Sequence, residues 1–149
     1  MQRFAPLAVL GAVLFVIVPV QAQRSDSVVK TTARAEKAGN KVVVVVRLDI
    51  KKGWHLYANP VMHAELLNSQ TLVKVLGVDA KAVAVEYPAG SDYKDKAGEK
   101  YKVYKDQTEI RVTVERPPGS SGALELSVRL SACDDNSCLQ PVVVRVSAP

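Results

Sequence analysis

The chain has 149 residues, with 20 Lys+Arg against 15 Asp+Glu, 23% charged and 48% hydrophobic residues. That length suits one domain rather than two, and the composition is too apolar and too weakly charged for general disorder. Two cysteines are too few for a disulfide-built miniprotein or a four-cysteine zinc site, and 5% aromatics does not make a nucleic-acid stacking platform.

The first segment reads as a leader. Met1-Gln2-Arg3 is short and positive, and Phe4 to Val20 is uncharged and almost wholly apolar. Val20-Gln21-Ala22 places small or tolerated residues at the cleavage positions, so residues 1–22 read as a secretory signal peptide cut after Ala22. The apolar run sits at the short limit for spanning ~30 Å of hydrocarbon. The expected product is a single domain, residues 23–149, periplasmic or secreted, with no stable membrane span. Losing Arg3 takes the formal charge from +5 to +4, a value that serves solubility.

From Ser25 onward the pattern is that of strands. Lys41 to Ile50 carries five consecutive valines and is poor helix material. Ala38-Gly39-Asn40 before it and Lys51-Lys52-Gly53 after it are turn signals. Trp54-His55-Leu56-Tyr57 is a short run of large residues that stops at Ala58-Asn59-Pro60. One helical turn or two is expected near His63 to Asn68. Thr71 to Val78 and Ala82 to Tyr87 are two further apolar runs, the second ended by Pro88-Ala89-Gly90.

Lys94 to Lys105 holds five lysines, and the stretch from Tyr93 to Asp106 interleaves them with Asp95, Glu99, Asp106 and three tyrosines. In an exported chain this reads as a solvated loop and edge strand rather than a nucleic-acid surface. Thr108 to Glu115 alternates cleanly, as does Leu124 to Leu130. Between them, Pro117-Pro118-Gly119-Ser120-Ser121-Gly122 reads as a long hairpin loop. Val142 to Val146 closes the chain. Short alternating strands at this spacing predict an all-β, antiparallel β-sandwich.

Cys133 and Cys138 flank Asp134-Asp135-Asn136-Ser137. If a hairpin joins the strand ending near Ala132 to the last strand, the two cysteines face each other. Directly opposed residues have Cα atoms ~4.5–5.5 Å apart, within disulfide range. Closing so short a loop stabilises by only about 2 kcal/mol on the chain-entropy estimate, against ~4.7 for a loop of about 100 residues. Such a bond is a weak staple and is accessible to attack by a partner thiolate. The residues alone leave a structural bond and a redox-active one as equal readings. Asp134 and Asp135 disfavour a thiolate beside them.

Three stretches together resemble the N-terminal domain of the thiol:disulfide interchange protein DsbD. They are Lys52-Gly53-Trp54-His55-Leu56-Tyr57-Ala58-Asn59-Pro60, Glu86-Tyr87-Pro88-Ala89-Gly90, and Ser131-Ala132-Cys133-Asp134-Asp135-Asn136-Ser137-Cys138-Leu139-Gln140-Pro141. The resemblance implies an immunoglobulin-like sandwich that passes reducing equivalents between thioredoxin-like partners. It implies that Cys133 and Cys138 are the redox pair and that Tyr57 lines the site. It also implies that Ser91 to Lys102 is a cap loop over the cysteines, with Asp95 as its acidic residue. The family's shielding aromatic falls near Ala97, where this chain has none, so that either Tyr93 or Tyr101 substitutes or the pair is less protected. The membrane-spanning and thioredoxin-like parts of full-length DsbD are not in these 149 residues, so the donor is expected to be a separate protein.

Two other readings stand beside this one. A redox-inert binding module would use the same fold with a structural hairpin bond. A periplasmic metal-binding sandwich would use His55 and His63 with the cysteines, for soft copper or zinc. Neither histidine is at ligand spacing from the pair, and both read as ordinary polar histidines. No catalytic triad, paired-carboxylate signature or phosphate loop stands out, and no cofactor is expected.

Overall fold

The computed structural model describes residues 22–38, 41–77 and 80–149. The expected leader, apart from Ala22, the Gly39-Asn40 turn and the Val78 end of one apolar run lie outside them. The strands are β1 (Val29–Ala38), β2 (Lys41–Ile50), β3 (His55–Tyr57), β4 (Leu72–Val75), β5 (Lys81–Glu86) and β6 (Ser91–Lys94). They continue with β7 (Lys100–Tyr104), β8 (Gln107–Glu115), β9 (Leu124–Leu130), β10 (Ala132–Cys133) and β11 (Val142–Ala148). The helical turn expected near His63 to Asn68 is one 3-10 turn, Ala64–Leu66.

All strand pairs are antiparallel. Two sheets, β1-β2-β8-β5 and β11-β9-β4, close over one apolar core and make an immunoglobulin-like sandwich. The period of two explains which side chains fill it. Val44, Val46 and Leu48 of β2, Ile110, Val112 and Val114 of β8, and Leu126, Val128 and Leu130 of β9 are all fully buried.

Val45 breaks that alternation, being 0% exposed on the outer face of β2. It pairs with Arg34 of β1 on one side and Arg111 of β8 on the other. Arg34 bonds Glu109 at 3.1 Å and Arg111 bonds Glu36 at 3.0 Å, so two ion pairs pass over β2 and cover the valine. Each exposed pair is worth about 1 kcal/mol or less; their larger effect is to shield apolar surface with their methylene stems.

The Pro117 to Gly122 stretch does not join a hairpin. β8 and β9 lie in different sheets, so this loop crosses between the two layers. Alternation in a strand reports its buried face but not its partner, which is why the local pattern misleads here.

The third sheet, β10-β3-β7-β6, carries the cysteines. Its strands are held to one another and to their connecting loops by specific polar contacts. Gly53, at φ 88°, makes the turn into β3 in a conformation that disfavours other residues. Tyr104 is buried, and its hydroxyl accepts the Asn59 N–H at 3.1 Å while its oxygen lies 3.1 Å from the Pro88 carbonyl. Ala58 N–H donates to Lys102 O, and Lys102 N–H to Val61 O, which clamps β7 against the chain leaving β3. Beneath the β6–β7 hairpin lies a small second core of Val61, Tyr101 and Val103.

Gly90 sits at the root of that hairpin. A Cβ there would lie 2.6 Å from Ala58 Cβ and 2.9 Å from Lys102 Cβ. Gly90→Ala is therefore expected to destabilise the protein by roughly 1–3 kcal/mol, as overpacking does. The urea unfolding midpoint checks this; an unchanged midpoint would show that the two strands part without cost.

Candidate functional site

The site is built on the smallest strand pair. Ala132 pairs with Leu56, and Cys133 pairs with His55. Because successive residues alternate in direction, Ala132 and Leu56 enter the main core and are fully buried. Cys133 and His55 then share the other face.

The turn after Cys133 closes on itself. The Asp134 carboxylate accepts the N–H groups of Asn136 at 2.7 Å and Ser137 at 2.6 Å. Asp134 N–H donates to Ser137 O, and Leu139 N–H donates to Ala132 O. These bonds hold Asp134 below the usual carboxylate range, chiefly through the two backbone N–H groups, so it stays ionised. The expected opposition of the cysteines follows. Cys133 and Cys138 are disulfide-bonded, with Cα atoms 4.0 Å apart.

The two sulfurs differ in access. Cys133 is 3% exposed, whereas Cys138 is exposed. The Tyr57 hydroxyl lies 3.4 Å from Cys133 Sγ and 3.8 Å from Cys138 Sγ. Disulfide sulfurs carry no hydrogen, so the hydroxyl is the donor. Burial, with the nearby Asp95 charge, raises the Tyr57 pKa and keeps that proton in place.

Ser91 to Lys102, expected as a cap loop, is the β6–β7 hairpin. Asp95 does not touch the cysteines. Its carboxylate accepts the Glu99 N–H at 2.9 Å and shapes the hairpin turn, while its charge is felt by Tyr57, Tyr93 and Tyr101. Two side chains of the hairpin reach the cysteine turn. The Tyr93 hydroxyl donates to Asp135 at 2.6 Å, and Lys96 Nζ donates to Asn136 Oδ1. The bond to Asp135 is the main reason the Tyr93 hydroxyl is held strongly protonated. Lys105 Nζ lies 5.1 Å from the centre of the Tyr93 ring, within cation–π range.

Tyr93 and Tyr101 form one aromatic cluster with His55 and Tyr57. Their rings are 5.3 Å apart, and Tyr101 is 5.4 Å from Tyr57. Tyr101 is pushed up to about 12, first by burial. His63, named with His55 as a metal ligand in one reading, instead meets Glu99 at 3.1 Å. Among the described residues no group of three or more His, Cys, Asp or Glu is gathered as a metal site.

Sequence reasoning read His55 as an ordinary polar histidine or, in one alternative, a metal ligand, and did not foresee its burial beside Cys133. It is 2% exposed, its ring lies 4.3 Å from Tyr93, and its Nε2 has no hydrogen-bond partner. The signal was present in the i, i+2 spacing of His55 and Tyr57, which puts both on the face opposite Leu56. Burial lowers the His55 pKa, with Lys105 adding to the effect and Asp135 and Asp134 opposing it.

Comparisons with known proteins agree with this geometry. The family described as thiol:disulfide interchange protein DsbD, N-terminal, matches residues 20–148. The DsbD N-terminal domain of Neisseria meningitidis in its reduced form superposes with a TM-score of 0.54 at 15% identity, over 78% of this chain and 82% of that one. The N-terminal periplasmic domain of ScsB from Proteus mirabilis gives 0.55 at 17%, over 76% of this chain but only 43% of that one. A complex between the DsbD and PilB N-terminal domains of N. meningitidis gives 0.51 at 16%, over 78% and 80%. At these identities the structures show the shared fold. No curated protein matches the chain in sequence. Among the described residues no helix is long and apolar enough to cross a membrane.

Two outcomes follow from this geometry. Tyr93→Phe removes the hydroxyl that ties the hairpin to Asp135. A bond worth about 1 kcal/mol corresponds to roughly fivefold more open hairpin. Reduction of the disulfide by dithiothreitol is expected to accelerate by about that factor; an unchanged rate would mean the hairpin does not limit access. The second concerns acid. The folded His55 pKa is below the unfolded value of 6.5, so the unfolded chain binds more protons between the two. The stability contribution of neutral His55 is present above pH 6.5 and is lost progressively below it. Unfolding measured across that range is expected to show the slope in the native chain and a flatter one in His55→Phe.

Proposed function

This chain belongs to the family of the thiol:disulfide interchange protein DsbD N-terminal domain, and from that premise we propose that it is a periplasmic module exchanging a disulfide with thioredoxin-like proteins through Cys133 and Cys138. The observation that carries the proposal is the asymmetry of the pair: a buried Cys133 bonded to an exposed Cys138 across one self-closed turn. The leader, a positive start followed by an uncharged apolar run, and the periplasmic setting of the ScsB domain support the compartment. The solved complex of a DsbD N-terminal domain with a PilB domain supports a protein partner.

The exchange runs in two displacements. A partner thiolate attacks Cys138 Sγ, a bond forms between them, and the Cys133–Cys138 bond breaks with its electron pair on Cys133. The partner's second thiolate then attacks its own sulfur in the mixed disulfide and expels Cys138 as a thiolate. Two electrons and two protons pass from partner to pair, and the reverse sequence returns them. Tyr57, donating toward both sulfurs, stabilises negative charge on whichever one leaves. The β6–β7 hairpin must lift for a partner to seat, because Tyr93 and Lys96 hold it on the turn.

Cys133→Ser leaves Cys138 alone at the surface. It is expected to form a mixed disulfide with a thioredoxin-like protein lacking its resolving cysteine, seen as a dithiothreitol-sensitive heterodimer. Cys138→Ser, with its one thiol buried, is expected to trap at least about tenfold less. Equal trapping by both variants would overturn the assignment of Cys138. A reduction potential well below about −300 mV, with no exchange by the native chain, would make the bond structural instead.

A further inference from the structure

We propose that His55 is the proton acceptor and donor for Cys133 during exchange. The inference rests on the exchange reading above and adds a residue to it. Three observations meet at this side chain.

The first is register. His55 is the direct cross-strand partner of Cys133, so their Cβ atoms share one face about 4.5–5.5 Å apart. The second is an unmet bond. At 2% exposure, Nε2 has no hydrogen-bond partner, and a buried polar atom left so calls for an explanation, a redox role being one. The third is the surroundings. Tyr93, Tyr57 and Tyr101 stand 4.3, 6.3 and 6.5 Å from the ring, centroid to centroid. All three are held protonated, Tyr57 and Tyr101 chiefly by burial and Tyr93 chiefly by Asp135. Asp134 is committed to its own turn and Asp135 to Tyr93. Lys105 is the nearby cation. Among these groups the imidazole is the one suited to gain and lose a proton near neutrality.

The proton balance is as follows. When a partner dithiol reduces the pair, the electron pair of the broken S–S bond goes to Cys133, and His55 takes up the proton released by the attacking partner thiol and passes it to that thiolate. When the reduced chain gives electrons up, Cys138 first forms the mixed disulfide with the partner. Neutral His55 then takes the Cys133 proton, the Cys133 thiolate closes on Cys138 Sγ, and the partner leaves as a thiolate. Burial favours the neutral imidazole at rest, which is the form that accepts. The same burial makes Cys133 a poor thiolate without help.

The test follows reduced protein reacting with a small chromogenic aromatic disulfide between about pH 5 and about pH 9. Release of the first aromatic thiol reports Cys138, and release of the second reports closure by Cys133. His55→Phe is expected to slow the second phase about tenfold and to remove its inflection on the acid side, with the first phase unchanged within about twofold. His55→Gln keeps a hydrogen-bonding group but cannot titrate, and is expected to lose the inflection too. In the native chain, NMR titration of the imidazole is expected to give different midpoints for the oxidised and reduced forms, since coupling between two sites is reciprocal. This measurement holds even where a variant fails to fold. Native-like second-phase profiles in the variants, or identical imidazole midpoints in both redox states, would overturn the proposal. A native chain that closes normally on the small disulfide, yet never exchanges with a thioredoxin-like protein, would instead overturn the function and leave the role of His55 standing.

Discussion

The site depends on the pairing of two residues of β10 with β3. Ala132 and Leu56 anchor one face of that pair in the sandwich core, where both are fully buried. The pleat then forces Cys133 and His55 onto the other face. A slip of one residue would send the cysteine into the core and an alanine to the site. The apolar core therefore sets the orientation of the cysteine pair, although no core side chain touches it. Exchange needs a sulfur held at a fixed depth, one partner buried and one exposed. A two-residue strand docked on a buried leucine supplies that depth.

The cap is made of weaker material. Its contacts with the cysteine turn are exposed hydrogen bonds from Tyr93 and Lys96, with a cation–π contact from Lys105 to Tyr93. Each is worth about 1 kcal/mol. The root of the hairpin is different, with buried Tyr101, Val103 and Tyr104, backbone bonds to Ala58 and Val61, and the close approach at Gly90. Opening is thereby confined to the tip. Local unfolding draws on the least stable part of a structure, and here that part is the hairpin tip tied to the cysteine turn.

Much of this was legible in order along the chain. The valine run of β2 and the clean alternation of β8 and β9 marked the sandwich, because burial on one face leaves a period of two in the sequence. The six residues from Cys133 to Cys138 marked a closed turn, because little else brings two cysteines so near. What stayed hidden was non-local. The Pro117 to Gly122 loop reads the same whether it joins neighbours in a sheet or crosses between layers. Lys94 to Lys105 looked like a solvated loop and edge strand, and β6 is indeed an edge, but Tyr101 and Val103 bury themselves only when β3 is beside them. His55 looked ordinary because its partner lies far along the chain, and only the β3–β10 register brings them together.

His55 and Tyr57 divide the electrostatic work between them. A tyrosine held protonated can donate a hydrogen bond to a leaving sulfur but cannot carry a proton away at neutral pH. An imidazole can carry one, yet its charged form is disfavoured where the surrounding tyrosines exclude water. Asp134 and Asp135 temper that penalty, because their charges raise the His55 pKa while their oxygens are engaged elsewhere. The acidic turn that looks hostile to a thiolate in the sequence thus supports the imidazolium that the thiolate needs. The pair of aspartates acts on the sulfurs through the charge it lends to the histidine, and the cost of burying His55 is the condition for that coupling.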